Sequence, residues 1–133
     1  MRGLLYRDEV YQVVGAAFEV YNELGNGFLE PVYQEALEIE LRRRAIPFES
    51  QVRLEIQYKG RKLEKEYIAD LIVFDKIIIE LKAIQTIGNN EKAQLIDYLK
   101  ARGYKLGLII NFGAPDKLQW ERIVYEKRQS NRE

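Results

Sequence analysis

The chain of 133 residues contains no cysteine and no histidine. This pair of absences removes disulfides, thiolate nucleophiles, zinc-finger ligands and imidazole bases together. Serine is almost missing too: only Ser50 and Ser130 are present, and without histidine neither can join a Ser-His-Asp triad. Long apolar runs are lacking, and the longest are strand-sized, too short to cross a bilayer. The stretch MRGLLYRDEVYQ has no apolar signal-peptide core and soon carries Asp8 and Glu9, so a cytoplasmic location and no membrane partner are expected. Charge of one sign is not in excess, with 21 Lys and Arg against 21 Asp and Glu, so no overall basic field draws the chain to nucleic acid. Any catalysis must therefore run on carboxylates, lysine, tyrosine or a hard metal ion held by oxygen ligands.

What is present suits one folded unit over residues 1–133. A composition of 47% hydrophobic and 32% charged residues is that of an ordinary globular chain, long enough to bury its own core. No repeat, linker or low-complexity segment interrupts it. Local basic clusters, Arg42-Arg43-Arg44, Arg61-Lys62 and Lys127-Arg128, can serve either as phosphate contacts or as solvated charge on helix ends and turns.

From Asp8 to Leu24 the apolar residues Val10, Val13, Val14, Ala17, Val20, Tyr21 and Leu24 recur at helical spacing, and Gly25 supplies a stop. After the turn-prone Gly25-Asn26-Gly27, a second helix is predicted with Pro31 in its first turn, Tyr33, Leu37 and Leu41 on one face, and Pro47 as its end. The period then changes to two. Phe48 to Tyr58 reads as a half-exposed strand, Lys59-Gly60 as a turn, and Leu63–Phe74 and Ile77–Ile84 as further strands. Asn89 or Asn90 is expected to cap a third helix with Ala93, Leu95, Ile96, Tyr98 and Leu99 inward, and Gly103 to end it. Lys105–Phe112 should follow as a strand parallel to the third, and Leu118–Tyr125 as a short edge strand or loop. Residues 126–133 read as a frayed tail. The predicted order is α-α-β-β-β-α-β with a weak extra strand, an α/β fold around a mixed sheet flanked by helices.

Within this pattern, IADLIVFDKIIIELKAI places Asp70, Glu80 and Lys82 where β-branched residues would pack better. Strand alternation puts Glu80 and Lys82 on one face. If Asp75-Lys76 formed a two-residue loop, Asp70 would stand opposite Leu81. If Phe74-Asp75-Lys76 form a three-residue loop with Lys76 left-handed, Val73 pairs with Ile77 and Asp70 stands opposite Glu80. Opposed carboxylates at that spacing repel unless a cation or a shared proton intervenes. The pattern thus predicts an odd or bulged hairpin and a divalent metal between Asp70 and Glu80, with Lys82 in the same pocket. The competing account is an internal Glu80–Lys82 ion pair, with Asp70 bonded to nearby amides.

IADLIV followed by IIIELKA, in this order of elements, resembles the PD-(D/E)XK nuclease superfamily, with Asp70, Glu80 and Lys82 as its signature. The Pro usual before the Asp is replaced by Ala69. More narrowly, Gly27-Phe28-Leu29-Glu30-Pro31-Val32-Tyr33 is similar to the G-x-x-E-x-x-Y motif of the GxxExxY proteins, and YQEALEIELRRR, ELKAI, EKAQLIDYLK and LGLIINFG extend that likeness along nearly the whole chain. The resemblance implies a restriction-endonuclease-like fold and a Mg²⁺ site, with Mn²⁺ as a substitute. Asp70, Glu80 and the main-chain carbonyl of Leu81 would ligate the metal, and Lys82 would orient or activate the attacking water. It further implies roles at the site for Glu30 on the second helix and Gln94 on the third. Glu35, five residues on from Glu30, points about 140° away and is not a substitute. Tyr33 reads as a packing residue whose hydroxyl is bonded near the site.

Three functions compete at this stage. The first is a metal-dependent nuclease acting on DNA or another nucleic acid. A binding or regulatory module on the same fold, without turnover, is the alternative, and neutral charge and small size speak for it. The third is a nuclease that acts only as a homodimer, with Tyr104, Trp120 and Tyr125 either in that interface or in the core.

Overall fold

The valine and alanine stripe of the first segment is buried along helix α1, Arg7–Leu24, and covers one face of the sheet. Gly25 ends α1 at φ 66°, its N–H donating to the Tyr21 carbonyl at 2.7 Å. Helix α2, Glu30–Arg43, begins with Pro31 in its first turn and buries Tyr33, Leu37 and Leu41 beside α1. Its end is not set by Pro47 as the sequence suggested. Ala45 adopts φ 56°, and the N–H groups of Ala45 and Ile46 return to the carbonyls of Arg42 and Leu41 at 3.0 and 2.9 Å. This is a Schellman closure with alanine where glycine is usual, and the buried Ile46 and Leu41 make up its apolar contact.

The structure is a computed structural model and describes residues 4–127, so most of the expected tail lies outside the described residues. Five strands follow the first two helices: β1 (Phe48–Tyr58), β2 (Arg61–Val73), β3 (Ile77–Lys82), β4 (Leu106–Asn111) and β5 (Gln119–Val124). They form a single mixed sheet in the order β1-β2-β3-β4-β5. All neighbours run antiparallel except β3 and β4, which are parallel and joined through helix α3, Asn89–Arg102. The weak final strand is real and lies at the sheet edge.

Strands β3 and β4 are buried at every position except Lys82, as expected of a sheet centre covered on both sides. Ile77, Ile79 and Leu81 face α1 and α2, while Ile78 faces α3 together with Leu95, Tyr98 and Leu99. Two expectations for α3 fail. Gly88 rather than Asn89 or Asn90 is its N-cap, because Glu91 reaches back to the Gly88 N–H at 2.7 Å. Ala93 is exposed, since the apolar stripe of α3 runs along Leu95, Tyr98 and Leu99. Tyr104, Trp120 and Tyr125 are partly buried and pack against the two cores.

Candidate active site

The hairpin between β2 and β3 has the three-residue loop that strand parity required, with Val73 opposite Ile77, Ile72 opposite Ile78 and Leu71 opposite Ile79. The left-handed residues are Phe74 and Asp75, at φ 54° and 55°, not Lys76. Two successive positive φ values match the twist of the strands, and Lys76 closes the turn by donating its N–H to the Val73 carbonyl at 3.1 Å.

Extending this register brings Asp70 to Glu80, and there the regular ladder stops. Side chains replace it. The Asp70 N–H donates to Glu80 Oε1 at 3.0 Å, and the Leu81 N–H donates to Asp70 Oδ2 at 2.8 Å. The Asp70 carbonyl accepts from Gln34 Nε2 at 3.0 Å. On the other flank the β1 ladder skips the Gln51–Asp70 pair, with Gln51 at φ 51° and its amide 3.5 Å from Asp70 Oδ1.

The alternation of both strands resets at this point. Phe48, Leu71 and Val73 pack toward α1 and α2, whereas Val52, Leu54, Tyr67 and Ala69 pack toward α3. Register is kept because β1 and β2 reset together. The opening leaves the Asp70 carboxylate at the root of the hairpin, facing β3 rather than lost in either core.

Electrostatics at the opening is dominated by burial. Glu80 is 5% exposed. Burial first, and then the charge of Asp70, push its carboxyl up to about 8; Glu30 adds to the rise, while the Asp70 N–H and Lys82 oppose it. Asp70 is raised as well, chiefly by burial, against the Leu81 N–H, the Gln51 amide and Lys82. Tyr98, whose ring stacks on Tyr67, is pushed up to about 12 by burial and by the two acids. The pair is held together by the main-chain N–H groups of Asp70 and Leu81, and burial beside a second acid raises the proton affinity of Glu80.

The other expected residues reach this place in different ways. Lys82 ends β3, and its Nζ donates to Gln94 Oε1 at 3.0 Å, so Gln94 is at once exposed and joined to the site. The Glu80–Lys82 ion pair of the competing account is not among the contacts of the described residues. Glu30 is exposed at the start of α2 and lines a groove of about 500 Å³ with Gln34, Gln51, Asp70 and Leu81. Glu35 lines the same groove, despite its angle from Glu30. Tyr33 is fully buried: it stacks on Phe112 at 4.3 Å, donates to the Gly25 carbonyl at 2.6 Å and accepts from the Phe28 N–H at 3.2 Å. It thereby pins the loop that sets the start of α2 and Glu30.

A hard divalent ion fits these residues. Among the described residues no three Asp or Glu side chains lie close enough to enclose a metal by themselves. Two carboxylates with raised proton affinity would instead leave several positions to main chain and water, as Mg²⁺ prefers.

A family model of the PD-(D/E)XK nuclease superfamily matches residues 7–123. The chain belongs to that superfamily. Nucleases of the PD-(D/E)XK superfamily generally use divalent metals and act on nucleic acid. Among solved structures, the one titled "Crystal structure of SSO0001" is similar at 24% identity with a TM-score of 0.58, over 74% of this chain and 52% of that one. That likeness shows the fold, and the aligned part is about half the length of the solved chain. No curated protein matches. Among the described residues, no helix is long and apolar enough to cross a membrane.

Three supporting residues of this candidate site were not singled out from the sequence. Gln34 follows Glu30 by one helical turn and precedes Glu38 by another, a polar ridge at spacing four that signals a helix face turned to something other than core. Gln51 gives no such signal, since its left-handed backbone appears only in the fold. Asn111 sits in the apolar run of β4 and is wholly buried. Its Oδ1 accepts from the N–H groups of Ile84 and Gly113 at 2.9 and 3.0 Å, and its Nδ2 donates to the Ile84 carbonyl and Gln119 Oε1 at 2.9 and 3.0 Å. With the Phe112 N–H on the Lys82 carbonyl at 2.8 Å, this network fixes the chain leaving Lys82. The Arg42-Arg43-Arg44 cluster, in contrast, is paired with Glu38 and Glu40 of its own helix.

Proposed function

We propose that this protein is a Mg²⁺-dependent nuclease, able to use Mn²⁺, that hydrolyses phosphodiester bonds in DNA. The observation that carries the reading is the pairing of half-buried Asp70 with buried Glu80 at the open root of the β2–β3 hairpin, with Lys82 beside it. The narrower likeness to GxxExxY proteins belongs to this proposal, and Tyr33 and Glu30 give its motif a structural and a site-facing half.

Asp70, Glu80 and the Leu81 carbonyl would hold the ion. When bound, Mg²⁺ supplies a Lewis acid for the scissile phosphate and lowers the pKa of a water. Asp70 and Glu80 are kept in place by main-chain N–H donors, so their remaining oxygen lone pairs are directed without further reorganisation. Lys82, held by Gln94, would orient the attacking water through its ammonium and stabilise charge on the phosphorus oxygens, the water's proton leaving to solvent. Glu30 and Gln34 bound the groove and position water on the α2 side.

The experiment is a cleavage panel of single-stranded, duplex and branched DNA and RNA with Mg²⁺ or Mn²⁺. Cleavage is expected to need the metal and to fall at least about a hundredfold in Glu80→Ala and Lys82→Ala while both remain folded. A wild-type protein that binds no Mg²⁺ by calorimetry and cuts nothing in the panel would sink the reading in favour of a binding module.

A further inference from the structure

Strands β1 and β2 do not stop where their neighbour stops. β3 ends at Lys82, next to the stretch of β2 that carries Asp70, yet β1 and β2 continue as a two-stranded ribbon to the turn at Lys59-Gly60. Counted along β1 from Gln51, opposite Asp70, to Tyr58, opposite Arg61, the ribbon runs about 23 Å at the usual rise of a strand residue. Its lower part is covered by α3, through Val52, Leu54 and Tyr67. Beyond Leu54 and Tyr67 nearly every residue is exposed. A bare ribbon gains little from burial, so the fold itself gives no reason for its length.

The ribbon is nonetheless paired to its tip, across one bulge where β2 sets Leu63, Glu64 and Lys65 against Ile56. Lys59 and Gly60, at φ 50° and 78°, form a two-residue turn with both residues left-handed, which matches the twist of the arms. Tyr58 lies opposite Arg61 and Gln57 opposite Lys62. Arg53 pairs with Glu66 across the strands, and Lys62 with Glu55 at 3.6 Å.

Charge is concentrated at its tip. In a chain of net charge zero, Gln57–Lys65 carries Lys59, Arg61, Lys62 and Lys65 against Glu64 alone. Lys59, Arg61 and Lys65 have no acid partner among the described residues, unlike the arginines that end α2. The Lys59 ammonium lies over the exposed Tyr58 ring, 5.5 Å from its centre.

The geometry points to this ribbon as a substrate arm that grips duplex DNA, an inference that rests on the nuclease reading. The B-form major groove admits a two-stranded ribbon, whereas that of an A-form RNA helix is too narrow and deep. Unpaired cations at the tip meet the phosphates that border the groove, and their release of counterions supplies affinity that the neutral chain as a whole lacks. Because the ribbon is rooted at Asp70, duplex held along it lies at a fixed distance from the acid pair.

The test measures binding of the full chain to a fluorescent DNA duplex in EDTA, where no cleavage competes, across a range of salt concentrations. The triple variant Lys59→Ser/Arg61→Ser/Lys65→Ser is compared with Arg43→Ser/Lys105→Ser/Lys117→Ser, which removes as many cations elsewhere. The ribbon variant is expected to bind at least about thirtyfold more weakly and to lose about two to three from the slope of log affinity against log salt, the control losing far less. Circular dichroism verifies that both are folded. The inference is overturned if the ribbon variant matches wild type, if the control loses as much, or if duplex RNA or a single strand binds more tightly than duplex DNA. Failure of the nuclease reading looks different: the ribbon effect on binding would persist while Mg²⁺ elicits no cleavage.

Discussion

Asp70 and Glu80 are joined through the backbone: the N–H of Asp70 donates to the carboxylate of Glu80 at 3.0 Å, and Asp70 in turn accepts from the residue after Glu80 at 2.8 Å. The two acids are thus held near each other by amide donors rather than by a counter-ion. The cost of that arrangement appears in their proton affinities.

That cost gives a pH dependence with a definite sign. The Glu80 carboxyl is raised from 4.5 to about 8, so the folded protein binds this proton more tightly than the unfolded chain does. Stability is then fully present below about 4.5 and is lost as pH rises toward 8, by on the order of a few kcal/mol. Asp70, shifted in the same direction, adds to the loss. Urea melts of the metal-free protein at pH 6 and pH 8.5 are expected to show the higher midpoint at pH 6. Glu80→Gln flattens the difference, and Mg²⁺ restores stability at pH 8.5. A wild-type protein more stable at pH 8.5 without metal contradicts this account.

Lys82 and Gln94 form a pair that kinetics can separate from folding. Gln94→Ala removes the acceptor that fixes the Lys82 ammonium, and kcat is expected to fall about tenfold with little change in KM. In a Lys82→Ala background the same change costs almost nothing further. Additive losses in this double-mutant cycle would place Gln94 on a separate function.

Asn111 fills every one of its four hydrogen-bonding contacts inside the protein. Truncation to alanine leaves main-chain groups of Ile84 and Gly113 unpartnered and is expected to cost about 3 kcal/mol. Gly113→Ala acts on the same corner by collision, since a Cβ there would lie 2.4 Å from the Ile84 nitrogen. Both variants should melt about 10 °C or more below wild type in calorimetry.

Ala45 offers a change in the opposite direction. It holds a left-handed backbone, φ 56°, at the position that ends α2. Ala45→Gly relieves that strain while retaining both closing hydrogen bonds, and a gain of about 0.5 to 1 kcal/mol is expected in chemical denaturation. A loss of stability would mean that the added freedom of the unfolded chain outweighs the strain.

The elements, their order and the parallel pairing of β3 and β4 were legible in the sequence because each follows from local periodicity or from the need for a crossover. So was the odd loop, since two carboxylates on alternating strands leave few permissible registers. What escaped was conformational detail that periodicity does not encode. Ala45 rather than Pro47 stops α2, Gly88 rather than an asparagine caps α3, and Phe74 and Asp75 rather than Lys76 turn left-handed. Gln51 and Asp70 resetting both strands together is likewise invisible to a reading that takes one strand at a time. At the site, the charged residues stood out against an apolar background, whereas Gln34 and Asn111 work through main-chain contacts that exist only after folding.

The strand order has a kinetic meaning. Because spatial order repeats chain order, every antiparallel neighbour can zip from its own turn, and only the parallel pair must wait for α3 to bridge it. Asp70 and Glu80 lie ten residues apart, so their encounter needs only a short loop to close. The acid pair is therefore expected to meet locally, as part of a hairpin, before the uncharged inner strand β4 docks beside β3.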